Sequence, residues 1–236
     1  MEARAGGTAP GTSGATFSAF ERPTVFTGGM AFRGFLNLNG DNAAGNKGQG
    51  VWAGTFGNLL PVVRTGDTNA QIPTIPAGRA IGSVWSPFSS DSGAITMRVT
   101  LSGGPGESRA IMGNTDGTMR VIAKVGDAAP GLSGQTFVNF DHPVIGDANQ
   151  VAFTAATNTG SYGIWKQAPG GGPLSLMMLV GETVSTSEGN KIVSQISLPG
   201  ITTDDRKYEI RCIDVTGRML IHVTFDDGTS SLLLGQ

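Results

Sequence analysis

The sequence predicts an all-β protein: a compact, four-bladed, propeller-like ring of four-stranded repeats, its last blade closed by the N-terminal strand. Three observations carry that prediction. A glycine-centred turn recurs in ARAGGTAPG, VRTGD, AKVGDAAPG and LVGET, with aligned glycines at Gly6, Gly66, Gly126 and Gly181. A period of that length, built from short strands, belongs to repeat architectures such as propellers. Composition agrees, because 37 of the 236 residues are glycine and only 14% are charged, a balance that suits many strands joined by tight turns. Finally, no window carries a sustained i, i+3, i+4, i+7 apolar stripe with helix caps.

The elements follow in order within one domain spanning 1–236. Unit one (12–67) opens with TFSAFERPTVF, turns at Thr27-Gly28-Gly29 and continues as MAFRGFLNL. A polar excursion, NGDNAAGNKGQG, leads to VWAG and then LLPVVRTGD. That makes four strand candidates separated by Gly, Asn and Asp punctuation. Both faces of MAFRGFL are largely apolar, as in a sheet packed on two sides. Unit two (78–127) supplies SDSGAITMRVTL, RAIMG and TMRVIAKVGD. Unit three (132–182) repeats unit one most clearly: Phe137, Phe140 and Pro143 stand where Phe17, Phe20 and Pro23 stood. GDANQVAFTAAT, YGIWK and LSLMMLVGE complete it. Unit four (191–236) begins KIVSQISLPG, inserts ITTDDRKYEIRCI, and ends with DVTGRMLIHVTF and SLLLGQ. It stops after a third strand, whereas residues 1–11 resemble a fourth strand plus closing turn with nothing ahead of them. The expectation is that this N-terminal strand completes the last blade and protects its edge. A sandwich-like solenoid and an open fragment of a longer array are the alternative architectures.

The blocks GVWAGTFGNLLPVVRTGD and MRVIAKVGDAAPGLSGQTFVNFDHPVIGDANQVAFTA resemble repeats of bacterial exported proteins that carry sorting tails of the PEP-CTERM or choice-of-anchor kind. The matching positions are Gly126-Asp127, Ala129-Pro130-Gly131, Phe137, Phe140, Pro143, Asp147 and Val151-Ala152-Phe153. The resemblance implies a propeller-like β array and transfers no catalytic residue. Neither a signal peptide nor a sorting tail is visible in this chain, whose start, MEARAGGTAPG, lacks an apolar h-region.

Candidate sites are few. His142 and His222 are the two histidines, and neither GTSGA nor GLSGQ has the Gly-x-Ser-x-Gly spacing of a nucleophile elbow. Both histidines read as ordinary strand or loop residues. Cys212, the lone cysteine, alternates with apolar positions and reads as a small buried hydrophobe. No catalytic, cofactor-binding or metal-ligating residue is assigned, and a His/Cys metal cluster is excluded by count. Calcium is the minor alternative, at the turn carboxylates Asp41, Asp67, Asp127, Asp147, Asp226 and Asp227, whose default role is to bond their own backbone. GGPGE and GGGP lack the Lys-Ser/Thr pair of a phosphate loop and read as connections between strands. Trp52 and Trp165 fall in equivalent third-strand slots, with Ile111 and Leu233 or Leu234 in the others, and are expected in the core. Trp85 and Tyr162 are the aromatics expected to reach the surface, and they are the candidate ligand or partner contacts.

Sixteen basic and 18 acidic residues are scattered singly, so no basic stripe offers itself to nucleic acid, and no apolar run is long enough to span a membrane. The expected role is a non-enzymatic module binding protein or glycan, on a cell exterior or as an accessory or receptor-binding part of a phage particle, alone or in a larger or homo-oligomeric assembly. The alternative is a polysaccharide hydrolase or lyase using carboxylates such as Asp141, Asp147 or Asp214.

Overall fold

A computed structural model describes residues 3–38, 48–55, 57–106, 108–199 and 212–235. The expectations for the excursion around Asp41 and for most of the segment inserted after Pro199 lie outside the described residues. Among those described, the chain forms four antiparallel sheets, and its one helical element is a 3-10 turn at Pro169–Gly171, within the loop GGGP. No described helix is long and apolar enough to cross a membrane.

The chain divides into two compact units, Met1–Lys124 and Val125–Gln236. In the first unit, sheet one is the meander β1 (Thr16–Phe26), β2 (Gly29–Asn37), β3 (Gln49–Thr55) and β4 (Asn58–Arg64). Sheet two contains β5 (Ala80–Val84), β6 (Phe88–Ser89), β7 (Ile95–Ser102), β8 (Ser108–Gly113) and β9 (Arg120–Lys124). It runs β5-β7-β8-β9, with β6 as a second short partner of β7. In the second unit, sheet three contains β10 (Phe137–Phe140), β11 (Val144–Ile145), β12 (Val151–Thr157), β13 (Tyr162–Gln167) and β14 (Leu174–Leu179). Its order is β10-β12-β13-β14, and β11 again pairs with β12. Sheet four is β15 (Thr183–Thr186), β16 (Gly189–Ser197), β17 (Met219–Phe225) and β18 (Ser230–Gly235).

Two irregularities recur at matching positions and explain the sequence pattern. The first long strand of every sheet is bulged one residue past an apolar anchor, between Phe17 and Ala19, Ile81 and Ser83, Phe137 and Asn139, and Val193 and Gln195. Side chains three apart fall on opposite faces of a regular strand, so an apolar pair at that spacing could not share a core. One bulged residue returns both to the same side. Phe137 and Phe140 are both buried as a result, and so are Ile81 with Val84 and Val193 with Ile196. Phe20 stays partly exposed but packs on Phe17 with ring centroids 5.0 Å apart. A second bulge disturbs the register of the last two strands at Val51/Trp52, Ile111/Met112 and Ile164/Trp165, and is missing from the β17–β18 pairing.

The backbone places the N-terminal segment at the opening of sheet one. Sheet four already holds four strands of its own, with β15 as its first. The N-terminal segment bonds instead to the start of β1: Gly6 N–H donates to the Phe17 carbonyl at 2.7 Å, Phe17 N–H donates to Gly7, and Thr8 bridges Thr16. The same pair of bonds joins Gly66 and Asp67 to Ile81, Gly126 and Asp127 to Phe137, and Gly181 and Glu182 to Val193. Each recurring glycine turn therefore opens the next sheet as well as ending the strand before it. Gly6 to Phe17 thus form the opening hairpin of sheet one.

Each unit has its own core. In the first, Val51, Val63, Ile81, Val99 and Met112 lie in one buried cluster, while Phe17, Phe32 and Trp52 form a second with Ala9 and Ala15. In the second, Val144, Ile164, Val193, Ile221 and Phe225 are buried together. Sheet three also stacks Phe137, Phe140 and Phe153 edge-on or tilted, with Trp165 edge-on to Phe137 at 4.9 Å. Trp52 and Trp165 are fully buried, as expected. Cross-strand pairing places Met112 in the slot they share, since Phe32 faces Trp52, Phe153 faces Trp165 and Met97 faces Met112. Ile111 is one residue out of register. In sheet four Ile221 faces Leu233, which fixes Leu233 as the occupant of that slot.

Candidate functional site

The residues singled out from the sequence lie in two environments. Trp85 follows β5 in the first unit and is half-buried, with the Arg98 guanidinium 4.3 Å above its ring centroid. Tyr162 opens β13 in the second unit, also half-buried. Its phenol donates to Asp141 Oδ2 at 2.6 Å, and the Thr154 hydroxyl donates to the same oxygen at 2.8 Å. Burial first, and then the bond to Asp141, push the Tyr162 phenol up to about 12. A phenol so raised serves as a hydrogen-bond donor and stays neutral at ordinary pH.

The other candidates are satisfied locally. Asp214 accepts from Thr216 N–H, the Thr216 hydroxyl and Arg218 N–H through Oδ1, and pairs with Arg218 Nε at 2.8 Å through Oδ2. The Thr216 hydroxyl leads in holding this carboxyl well below the usual range. Asp67 accepts from Arg64 N–H at 2.7 Å, and Asp227 accepts from Thr229 and pairs with Lys191. Asp147 lies in the turn before β12, where Gly146 N–H donates to the Gln150 carbonyl. Among the described residues, no group of three or more His, Cys, Asp or Glu side chains is placed to hold a metal ion. His222 sits in β17 with Nδ1 3.3 Å from the Ser197 hydroxyl. Cys212 is buried, and burial pushes its thiol up to about 11.

The structure gathers a different set of residues around a cleft of about 500 Å³ in the second unit. Its walls include Gln150, Lys166, Ser175, Thr216, Gly217 and Arg218. The turn before β12 presents Gln150, the middle strand β13 presents Lys166, and the turn before β17 presents Thr216 to Arg218. Lys166 Nζ donates to the Gly217 carbonyl at 3.0 Å, fixing strand to turn. Burial pulls its ammonium below the ordinary lysine value, because the charged form loses hydration there. The Gln150 side chain is 4% exposed and reaches toward Gly217, where a methyl group would lie 2.5 Å from Gln150 Nε2. Gln150 Oε1 is buried, and no described donor reaches it. Cleft size falls within the range of small-ligand sites, about 300–1,000 Å³, which typically converge a few polar groups in this way.

Inspection of the turns one by one missed this cleft, since Gln, Thr and Arg beside Gly are ordinary turn residues. The signal was present in the aligned repeats. Gln150 precedes Phe153 as Gly29 precedes Phe32, and Lys166 follows Trp165 as Ala53 follows Trp52. Small residues in one repeat are replaced by long polar ones in the other.

Four antiparallel sheets opened by one repeated hairpin and disturbed by matching bulges define an all-β repeat protein. The chain belongs to the family of unknown function DUF7453, whose model matches residues 1–234. No curated protein matches the sequence significantly.

Proposed function

We propose that this protein is a non-enzymatic binding module on a propeller-like β-repeat scaffold, which makes glycan or protein contacts on a cell exterior or as part of a phage particle. The observation that carries the reading is the second-unit cleft. It converges an ammonium, a guanidinium, two hydroxyls and a buried carboxamide on one volume. Those groups recognise a polar ligand by hydrogen bonds and charge. The propeller-like element is supported by the four-stranded meanders, by the shared bulges, and by buried aromatic positions that match between sheets one and three.

The hydrolase alternative needs a carboxylate free to act as acid, base or nucleophile at glycosidase spacing. Of the carboxylates suggested for it, Asp214 is engaged through both oxygens by Thr216 and Arg218, and Asp141 accepts from Thr154 and Tyr162 through Oδ2. A glycan array and a panel of polysaccharide substrates test the proposal together. Retention on the array without release of reducing ends is expected. Turnover of any polymer would overturn the proposal.

A further inference from the structure

We infer that the second-unit cleft holds a uronate, the carboxylate-bearing residue of an acidic polysaccharide, with Lys166 and Arg218 taking the carboxylate and Gln150 Nε2 donating to a sugar hydroxyl. The inference rests on the binding-module reading and gives it a ligand class.

The first unit shows that the fold does not require polar groups at this place. There the four equivalent register positions are Gly29, Ala53, Gly93 and Ala94. The Phe26 ring covers the two glycines: it lies against Gly29, and its edge is 3.2 Å from where a methyl on Gly93 would sit. Thr27 N–H donates to the Asp91 carbonyl, and the Thr24 and Ser89 hydroxyls bond at 2.7 Å, locking the same two turns together. In the second unit those positions carry Gln150, Lys166, Gly217 and Arg218, and Gly146 replaces Phe26 at the turn. A carboxamide therefore stands where the sister unit places an aromatic ring. Its Oε1 is buried and reached by no described donor, while Nε2 lies beside Gly217 in the cleft wall. Burying an acceptor unpaired is unfavourable, so an apolar residue would serve packing better. The carboxamide is explained if its Nε2 donates to a ligand at the cleft wall.

Charge narrows the ligand further. Lys166 and Arg218 bring two positive charges to the cleft, and Asp214 offsets one through its bond to Arg218 Nε. The remaining charge matches a single carboxylate per sugar ring. Arg218 has no described partner beyond Asp214, which leaves its Nη end to form a paired hydrogen bond with a carboxylate. The Thr216 and Ser175 hydroxyls at the rim suit the ring hydroxyls of a sugar.

Calorimetric titration of the whole chain with oligogalacturonate, a neutral gluco-oligosaccharide, sodium acetate and sodium sulfate tests the inference. Oligogalacturonate binding is expected, with the neutral sugar and the two simple anions at least about tenfold weaker. Gln150→Leu and Lys166→Met should each weaken uronate binding by about tenfold or more, the loss typical of a charged or buried hydrogen bond. Gln150→Leu should keep or raise the melting temperature, because it removes an unpartnered acceptor. If that variant does not fold, Lys166→Met decides by the same criterion. Acetate or sulfate binding as tightly as the uronate, or unchanged affinity in the folded variants, would overturn the inference. Equal binding of the neutral sugar would overturn it but leave the binding-module reading standing, whereas turnover of the oligomer would overturn both.

Discussion

Gly126 and Gly131 are close neighbours held for different physical reasons. Gly126 has φ +90°, which lets its N–H turn onto the Phe137 carbonyl, yet nothing lies within 4 Å of where a side chain would begin. Gly131 has φ +85° and also faces Leu176, whose Cβ would be 2.9 Å from an added methyl. Gly126→Ala is accordingly expected to cost about 1–2 kcal/mol of backbone strain, and Gly131→Ala roughly 2–4 kcal/mol through strain plus overpacking. Urea denaturation of the two variants checks the order. Between these glycines the Pro130 carbonyl accepts from Trp165 Nε1 at 2.9 Å, as Pro10 accepts from Trp52 at 3.1 Å. The Gly-Asp-x-Ala-Pro-Gly signature is thus a hairpin start, a carbonyl for the buried indole and a gap for a neighbouring side chain. Tyr162 supplies the pH dependence at this scale. Its folded pKa is raised from 10.0 to about 12, so between those values the folded state holds a proton that the unfolded state has lost. Stability contributed by the neutral phenol is therefore whole below about pH 10 and declines as pH rises toward 12. The difference in phenolate absorbance between the wild type and Tyr162→Phe should titrate near 12, and a midpoint near 10 would refute the buried bond to Asp141.

At the scale of the element, the repeated bulge converts an apolar pair three residues apart into a shared core face. Deleting Val138 removes the bulge and leaves Phe137 and Phe140 two residues apart, on one face of a regular strand, so Phe140 should stay in the core with Phe137 and Phe153. Phe140→Ala, which empties that site, should cost about 3–5 kcal/mol, as is typical of a buried Phe. Val138→Ala retains the bulge and trims a side chain that is already 46% exposed, so it should be nearly neutral. Thermal melts of the three variants separate the effects. This is also where the sequence was most legible. Phe17/Phe20 and Phe137/Phe140 exposed the repeat, and the tryptophan slots followed from it. One glycine turn both ends a sheet and opens the next, so periodicity alone assigns it to either. Backbone hydrogen bonds of Gly6 and Gly7 with Phe17 show that the first such turn opens sheet one.

At the scale of the whole molecule, two compact units repeat one design and differ in a few side chains. The first closes the junction of its two turns with Phe26, and the second lines it with Gln150, Lys166 and Arg218. All-β architecture was readable because glycine turns and short apolar runs are local signals. The cleft was not, because Gln150 and Gly217 are far apart in sequence and meet only through packing between sheets three and four. Amide chemical-shift mapping of the full chain during titration with galacturonate tests the claim most directly. Perturbations concentrated at Gln150, Lys166 and Thr216 to Arg218 are the predicted result. An unchanged spectrum at saturating sugar, or shifts centred on Trp85 with the cleft silent, would contradict it.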